Sequence, residues 1–279
     1  MEEVIKLKNL SFSYAKCDQE ILDDIQISIS PGQIFGLLGP SGAGKTTMIR
    51  LMTGQLQCKK GTIYLLGEDM SEFKKEVYQR IGIMLDSEAF YDRLTCYSNL
   101  KLFADIHGIP NNKVMETLKA VGLEDSITKP VKRLSTGMKQ RLSLARAMIH
   151  SPDILFLDEP TNGLDPLTAE LIHKLILQLK ERGATIFITT HNMQEATLLC
   201  DTIGLLYQGK LVEHDKPEVI QRKYWQDDNI EITLKDGSKR ILSLKKDYEE
   251  LILLLKEHIV SIHSMEPSLE DVFKKVVRR

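Results

Sequence analysis

The sequence lacks a long hydrophobic run. Its longest strongly apolar stretch is Leu251 to Leu255, far short of the roughly 18–20 residues that a membrane-spanning helix needs. The amino terminus, Met1-Glu2-Glu3-Val4, is acidic and has none of the basic-then-apolar pattern of a signal peptide. The chain is therefore expected to remain in the cytosol or to dock on something there. Cysteine is scarce: Cys17, Cys58, Cys96 and Cys200 are widely separated, with no Cys-x-x-Cys pair and no Cys/His cluster. That argues against a disulfide framework or a zinc site and for free thiols. An excess of charge of one sign is missing too, since 37 Lys+Arg stand against 39 Asp+Glu for a net −2. Such a balance leaves no footprint for non-specific nucleic-acid binding. With 42% hydrophobic and 27% charged residues, the chain is too apolar and too balanced to be disordered. Its length suits one large domain, or one large and one small. Internal repeats and low-complexity segments are absent.

What is present has a clear order. Val4 to Leu7, Ile25 to Ile29, Ile34 to Leu38 and Gly61 to Leu65 read as strands bounded by turn signals such as Pro31-Gly32. A glycine-rich loop runs from Gly39 to Thr47, and Thr46 to Leu56 reads as the helix after it. From Ser71 to His150 the character is mostly helical. Val114, Leu118 and Val121, and then Met138, Leu142, Ala145 and Ile149, each line one helical face. Strand and helix then alternate: Ile154 to Leu157, Leu167 to Arg182, Ala184 to Thr190, Met193 to Cys200, Ile203 to Tyr207. Apolar strands alternating with helices predict an α/β fold whose parallel sheet is buried on both faces. Near residue 220 the composition turns polar. Ile230 to Leu234 and Arg240 to Leu244 flank Asp236-Gly237, a hairpin signal. Tyr248 to His258 and Leu269 to Val277 read as helices, with Ile259 to His263 extended between them. Residues 1–220 are thus expected to form the main domain, and 221–279 a small α+β appendage.

Gly39, Pro40, Ser41, Gly42, Ala43, Gly44, Lys45 and Thr46, followed by Thr47, fit the pattern GxxxxGK(S/T). The glycines let backbone N–H groups curl round phosphate oxygens without Cβ clashes, and the next helix aims its positive dipole end at the same anion. In this pattern the lysine reaches the β- and γ-phosphates and the Thr46 hydroxyl ligates Mg²⁺. A second element, Ile154-Leu-Phe-Leu-Asp158-Glu159, is an apolar strand that ends in acid. It puts carboxylates at the carboxyl edge of the sheet, where such folds bind ligands. Asp158 is suited to hold Mg²⁺, and Glu159 to polarise an attacking water as general base.

With Leu134-Ser135-Thr136-Gly137-Met-Lys-Gln-Arg141, Gly163-Leu164-Asp165 and His191 added, the chain resembles the ATP-binding cassette of ABC transporters through about residue 215. The resemblance implies a P-loop cassette: a mixed, mainly parallel core sheet, a helical subdomain near 86–150 and an antiparallel β-subdomain. Ser135, Thr136 and Gly137 resemble the family's signature loop, which serves the γ-phosphate held by the partner subunit's phosphate loop. Each ATP would be sandwiched in a dimer of this chain with itself or a homologous cassette. The same residues also read as an N-cap and glycine opening a helix. Tyr14 lies where the family stacks an aromatic ring on adenine. Asp165 lies in the loop that crosses the dimer interface, although Asp165-Pro166 is also a plain helix start. His191 resembles the switch histidine that contacts the γ-phosphate. The implied cofactors are ATP and Mg²⁺, and the implied partner is a separate transmembrane permease at the cytoplasmic face of the membrane. Its docking face would be the helical subdomain around Asp86 to Leu100, with Ala89, Phe90, Tyr91 and Leu94 as candidate contacts; Phe90 and Tyr91 are equally suited to a core. No nucleic-acid partner is expected.

Asp86 departs from the family pattern, which usually has Gln in the loop joining core and helical subdomain. Members that export or give immunity to peptide antibiotics such as bacitracin and lantibiotics often carry Glu there, and Met265-Glu-Pro-Ser-Leu-Glu-Asp-Val-Phe273 is similar to the ending of drug- and antibiotic-export cassettes. Two other readings remain open from the sequence: a soluble ATPase of this type acting on ribosomes or nucleic acid, and a non-catalytic nucleotide-gated scaffold. A carboxylate cannot donate the amide hydrogen bond of Gln and adds negative charge beside Mg²⁺. Asp86→Gln and Asp86→Ala are therefore expected to change ATPase rate or coupling to transport. Unchanged rate and unchanged transport in both variants would reduce Asp86 to a loop cap.

Overall fold

The computed structural model describes residues 3–15, 20–72, 74–85, 90–225, 229–255 and 259–277. In chain order the elements up to the helical region are β1 (Ile5–Phe12), β2 (Leu22–Ile29), β3 (Ile34–Leu38), α1 (Lys45–Met52), β4 (Lys60–Leu65), β5 (Glu68–Asp69), α2 (Lys75–Tyr78) and β6 (Ile81–Met84). Then come α3 (Cys96–Ile106), α4 (Asn111–Ala120), α5 (Thr136–Met148), β7 (Ile154–Asp158), α6 (Pro166–Glu181), β8 (Thr185–Thr190), α7 (Met193–Leu199), β9 (Thr202–Tyr207) and β10 (Lys210–Asp215). The last elements are α8 (Pro217–Tyr224), β11 (Asn229–Leu234), β12 (Lys239–Ser243), α9 (Tyr248–Leu255), β13 (Ile259–Ser264) and α10 (Leu269–Val277). The chain divides into two compact units, Met1–Asp215 and Lys216–Arg279.

The first unit is built on a six-stranded sheet of order β10-β9-β3-β8-β7-β6, parallel except for β10, which runs antiparallel to β9. Every residue of β3, β7 and β8 is buried, which explains their unbroken apolar sequences: helices or a second sheet cover both faces. The second sheet, β2-β1-β4-β5, is antiparallel. It shares one core with α1 and the main sheet, in which Ile5, Ile25 and Ile29 meet Met48, Met52, Phe35, Phe156 and Phe187. Two strands of the main sheet were not legible as strands in the sequence. β6 is a four-residue piece inside the mostly helical stretch, too short to show a period. β10 is mostly polar and half exposed, because an antiparallel edge strand buries little.

In the helical region α3, α4 and α5 pack together. Thr95 caps α3 by accepting a hydrogen bond from Ser98 N. Just inside that helix, Asn99 is 2% exposed. Its amide donates to Tyr91 O at 3.1 Å, Leu94 O at 3.3 Å and Thr95 O at 3.0 Å, and its carbonyl accepts from Tyr91 N at 3.0 Å. One buried side chain thus holds the loop before α3, leaving Tyr91 and Leu94 exposed. Phe90 instead lies against the Arg146 guanidinium, which stands 5.0 Å from the centroid of its ring and 4.7 Å from that of Phe103. Ala89 lies outside the described residues.

The second unit has an antiparallel sheet of order β12-β11-β13. The Asp236-Gly237 turn joins β11 to β12, and Ile230, Ile232, Leu234, Leu242 and Leu254 form its core. α8 and α10 pack together, with Leu269 and Val272 buried and Gln221 donating to Pro267 O. Among the described residues no helix is long and apolar enough to cross a membrane, and Cys58, Cys96 and Cys200 are free thiols.

Replacing Asn99 by Leu would remove the acceptor of Tyr91 N and one of the two donors on each of the Tyr91, Leu94 and Thr95 carbonyls, at a summed cost of about 1–3 kcal/mol. Asn99→Leu is expected to lower the thermal midpoint by several degrees, whereas Asn111→Leu, on an exposed helix end, should leave it nearly unchanged. Equal midpoints would show that Asn99 does not hold the loop.

Candidate functional site

The buried strand β3 runs straight into Gly39. A Cβ on Gly39 would stand 2.4 Å from Leu206 O on β9, so only glycine lets the loop leave the sheet so closely. Gly44, at φ 105°, is the N-cap of α1 and supplies no side-chain hydrogen bond. A Cβ there would both strain the backbone and crowd Leu22 at 2.9 Å. α5, α6 and α7 are all capped by side chains: Ser135 accepts from Met138 N, Asp165 from Thr168 N, and Asn192 from Gln194 N and Glu195 N. At α1 the first-turn N–H groups are left for another acceptor, as an anion site at a helix N-terminus requires.

Lys45 opens that helix with its side chain 6% exposed. Its ammonium donates to Gly39 O at 2.8 Å and Pro40 O at 3.3 Å, and it pairs with Glu159 Oε1 at 3.1 Å. Glu159 follows β7, two strands away, and its other oxygen meets His191 Nδ1 at 2.7 Å and His191 N at 3.3 Å. One carboxylate therefore bridges the loop after β3 and the loop after β8. Thr46 Oγ1 donates to Asp158 Oδ2 at 2.8 Å. Asp158 is 1% exposed and its other oxygen accepts from Thr189 Oγ1.

Glu159 sits at φ +48°, a left-handed conformation that costs a non-glycine residue on the order of 1–3 kcal/mol. Its N–H donates to Thr189 O at 3.0 Å and to Thr189 Oγ1 at 3.2 Å. Its carbonyl accepts from Asn162 N at 3.1 Å and from Gln140 Nε2 at 2.9 Å. The acid is thus presented from a braced backbone.

Lys45, Thr46, Asp158, Glu159 and His191 line a cleft of about 380 Å³, together with Ser41, Gly42, Gly44, Thr47, Ile21 and Asn162. Tyr14 stands at the same cleft, its hydroxyl 3.1 Å from Thr47 Oγ1 and its ring edge-on to Phe12. The arrangement fits a polyphosphate with a divalent cation. The glycine-rich turn and uncapped helix suit the anion, while Thr46 and Asp158 already stand together as oxygen donors for the metal.

Ser135, Thr136, Gly137 and Asp165 do not line this cleft. They lie at the N-termini of α5 and α6, where Gly137 approaches Leu164 so closely that a Cβ would stand 2.9 Å from its Cδ2. Asp86 lies outside the described residues. Sequence reading passed over Thr189, Gln140 and Asn162, since isolated polar residues carry no pattern until the fold brings them to Asp158 and Glu159. It also passed over Glu195 on α7, which is 2% exposed. Burial opposes its ionisation. Even so, hydrogen bonds from His173 at 3.0 Å and Thr161 at 2.6 Å hold its carboxyl below the usual range. That contact ties the segment after Glu159 to the helix after His191.

A family model described as ABC transporter matches residues 22–162. A fluoroquinolones export ATP-binding protein of Mycobacterium tuberculosis is 37% identical, over 99% of this chain and 94% of its own length. The bacitracin transport ATP-binding protein of Bacillus licheniformis is 38% identical, over 99% of this chain and 98% of its own. Among solved structures, a dimeric post-hydrolysis state of an ATP-binding cassette bound to ADP and Pi superposes with a TM-score of 0.71. It is 26% identical and covers 76% of this chain and 98% of its own.

Removing the Lys45 ammonium deletes a charge-assisted contact worth about 1.5–3 kcal/mol. Lys45→Ala is expected to weaken binding of a fluorescent ATP analogue by roughly 10- to 100-fold. Unchanged affinity in an equilibrium titration would remove Lys45 from the site.

Proposed function

The chain belongs to the ABC transporter family as an ATP-binding, ATP-hydrolysing subunit, and from that premise we propose that it energises a separate membrane permease in the export of, or immunity to, a drug or antimicrobial peptide. The observation that carries the hydrolytic part is the Glu159 carboxylate held between Lys45 and His191. In this reading Lys45 and the Gly39–Gly44 loop hold the phosphates, and Tyr14 meets the adenine. Bound Mg²⁺, ligated by Thr46 and Asp158, would neutralise developing charge on the phosphates. Glu159 accepts a proton from the attacking water as the water oxygen bonds to the γ-phosphorus and the bond from that phosphorus to the β–γ bridging oxygen breaks, releasing ADP and phosphate, with His191 orienting both carboxylate and water. A base at the edge of a partly closed cleft needs water excluded and a second set of donors on the far side of the γ-phosphate. Ser135, Thr136 and Gly137 of a second cassette would supply them, and Asp165 would lie near the seam between the two subunits.

The export assignment rests on relatives named for fluoroquinolone export and bacitracin transport, matched over nearly their whole length, and on the Met265–Phe273 segment. Those names favour transport over an ATPase working on ribosomes or nucleic acid. The presence of Lys45, Asp158, Glu159 and His191 argues against a non-catalytic scaffold. The permease would hold the subunit at the cytoplasmic face of the membrane, engaging Tyr91, which is 64% exposed, and Leu94 on the loop braced by Asn99.

Glu159→Gln keeps the shape of the side chain and removes its basicity. Hydrolysis is expected to fall by roughly 10²- to 10⁴-fold with ATP binding retained, so that an ATP-bound dimer accumulates on gel filtration. Turnover at the parent rate would refute Glu159 as the base.

A further inference from the structure

We propose that Gln140 is a positioning residue for hydrolysis, and that it makes the base of one nucleotide site answer to the occupancy of the other. The second half of this statement rests on the composite, two-cassette site of the preceding section. Gln140 lies on α5, one turn beyond Ser135, Thr136 and Gly137. Its Nε2 donates to the carbonyl oxygen of Glu159 at 2.9 Å. The same oxygen accepts from Asn162 N at 3.1 Å, closing the turn that follows the acid.

Glu159 depends on such contacts. At φ +48° its backbone lies outside the broad basins of L-residues. It is held there by Thr189 on the N–H side, at 3.0 Å and 3.2 Å, and by Gln140 and its own turn on the carbonyl side. A second contact joins the same two segments, because the Gly137 backbone abuts the Leu164 side chain. The helix whose first turn would meet the partner's nucleotide is therefore bolted at two points to the segment 159–165. Small displacements of α5 act on the backbone of the base through Gln140, while Lys45 and His191 hold its carboxylate oxygens. Misplacing a catalytic group by about 1 Å costs up to 10²-fold in rate, so the link is short enough to matter.

The test uses the full chain with Gln140→Leu and Gln140→Glu, neither of which can donate to the carbonyl. Steady-state ATPase is measured against ATP concentration, MgADP affinity with a fluorescent analogue, and thermal midpoint by circular dichroism. The expected result is a kcat about tenfold lower or more, with KM and MgADP affinity within about twofold. The Hill coefficient is expected to exceed 1 in the parent and to drop to about 1 in both variants. A loop tie with only a structural role would lower the midpoint and spare the Hill coefficient. That result, parent-like kcat and cooperativity in both variants, or a parent with no cooperativity would overturn the proposal. Gel filtration of Glu159→Gln with ATP separates the two levels. A monomer there defeats the composite site and the coupling with it. A dimer with parent-like Gln140 variants defeats the Gln140 assignment alone.

Discussion

A buried ammonium must be compensated. The Lys45 side chain is almost wholly removed from water, and taking such a charge out of water costs several kcal/mol unless partners replace the solvent. Gly39 O, Pro40 O and the Glu159 carboxylate do so. Two of those partners come from the loop itself. The third arrives from β7, which reaches it only because β3, β8 and β7 lie side by side in register with their carboxyl ends on one edge. The sheet order, the buried strands and the turn after Gly39 together determine whether Lys45 can be satisfied. The same pairing occupies Lys45 with an anionic partner at the place where phosphate would compete for it.

The acid that answers Lys45 is itself constrained. Asp158 and Glu159 are neighbours with opposite settings. Asp158 ends a regular strand, buried, with Thr46 and Thr189 on its two oxygens. Glu159 turns out of the strand in a left-handed conformation and points at Lys45 and His191. One bend in the backbone sends two adjacent carboxylates to separate partners. Around them runs a set of buried or half-buried contacts: Thr189 below, Gln140 from α5, and Thr161 with Glu195 and His173 toward α6 and α7. The three loops that meet at the cleft are thereby fixed to one another by polar contacts, whose geometry is more exacting than that of apolar packing.

Helix termini divide into two kinds. α5, α6 and α7 use Ser135, Asp165 and Asn192 to satisfy their own first turns. α1 does not, because Gly44 has no side chain to offer. α2, α4 and α8 also lack a side-chain cap, but α1 is the helix whose open first turn lines the cleft, at Gly44, Lys45, Thr46 and Thr47. Capping does not exhaust a hydroxyl: Ser135 Oγ accepts from Met138 N at 3.3 Å, and that bond does not use its own hydrogen.

Local sequence pattern specifies the glycine-rich loop, the acid-ending strand, the strands β3 and β8, and the helices that follow. Each is a local pattern: a spacing of glycines, an unbroken apolar run, or a cap residue before a periodic stretch. The same patterns make Lys45, Thr46, Asp158 and Glu159 candidates for phosphate and metal chemistry, whereas Tyr14 and His191 are candidates only through the resemblance to the cassette family. Tertiary structure alone decided which of them touch, that Glu159 rather than Asp158 faces Lys45, and that Ser135, Thr136, Gly137 and Asp165 stand apart from the cleft. It alone revealed Thr189, Gln140, Asn99 and Glu195. A single polar residue has no period and no motif. Its role is set by the burial that strips its water and by the partner that the fold brings within about 3 Å. The short β6 and the polar β10 were hidden for the converse reason, being held by neighbouring backbone more than by any pattern of their own.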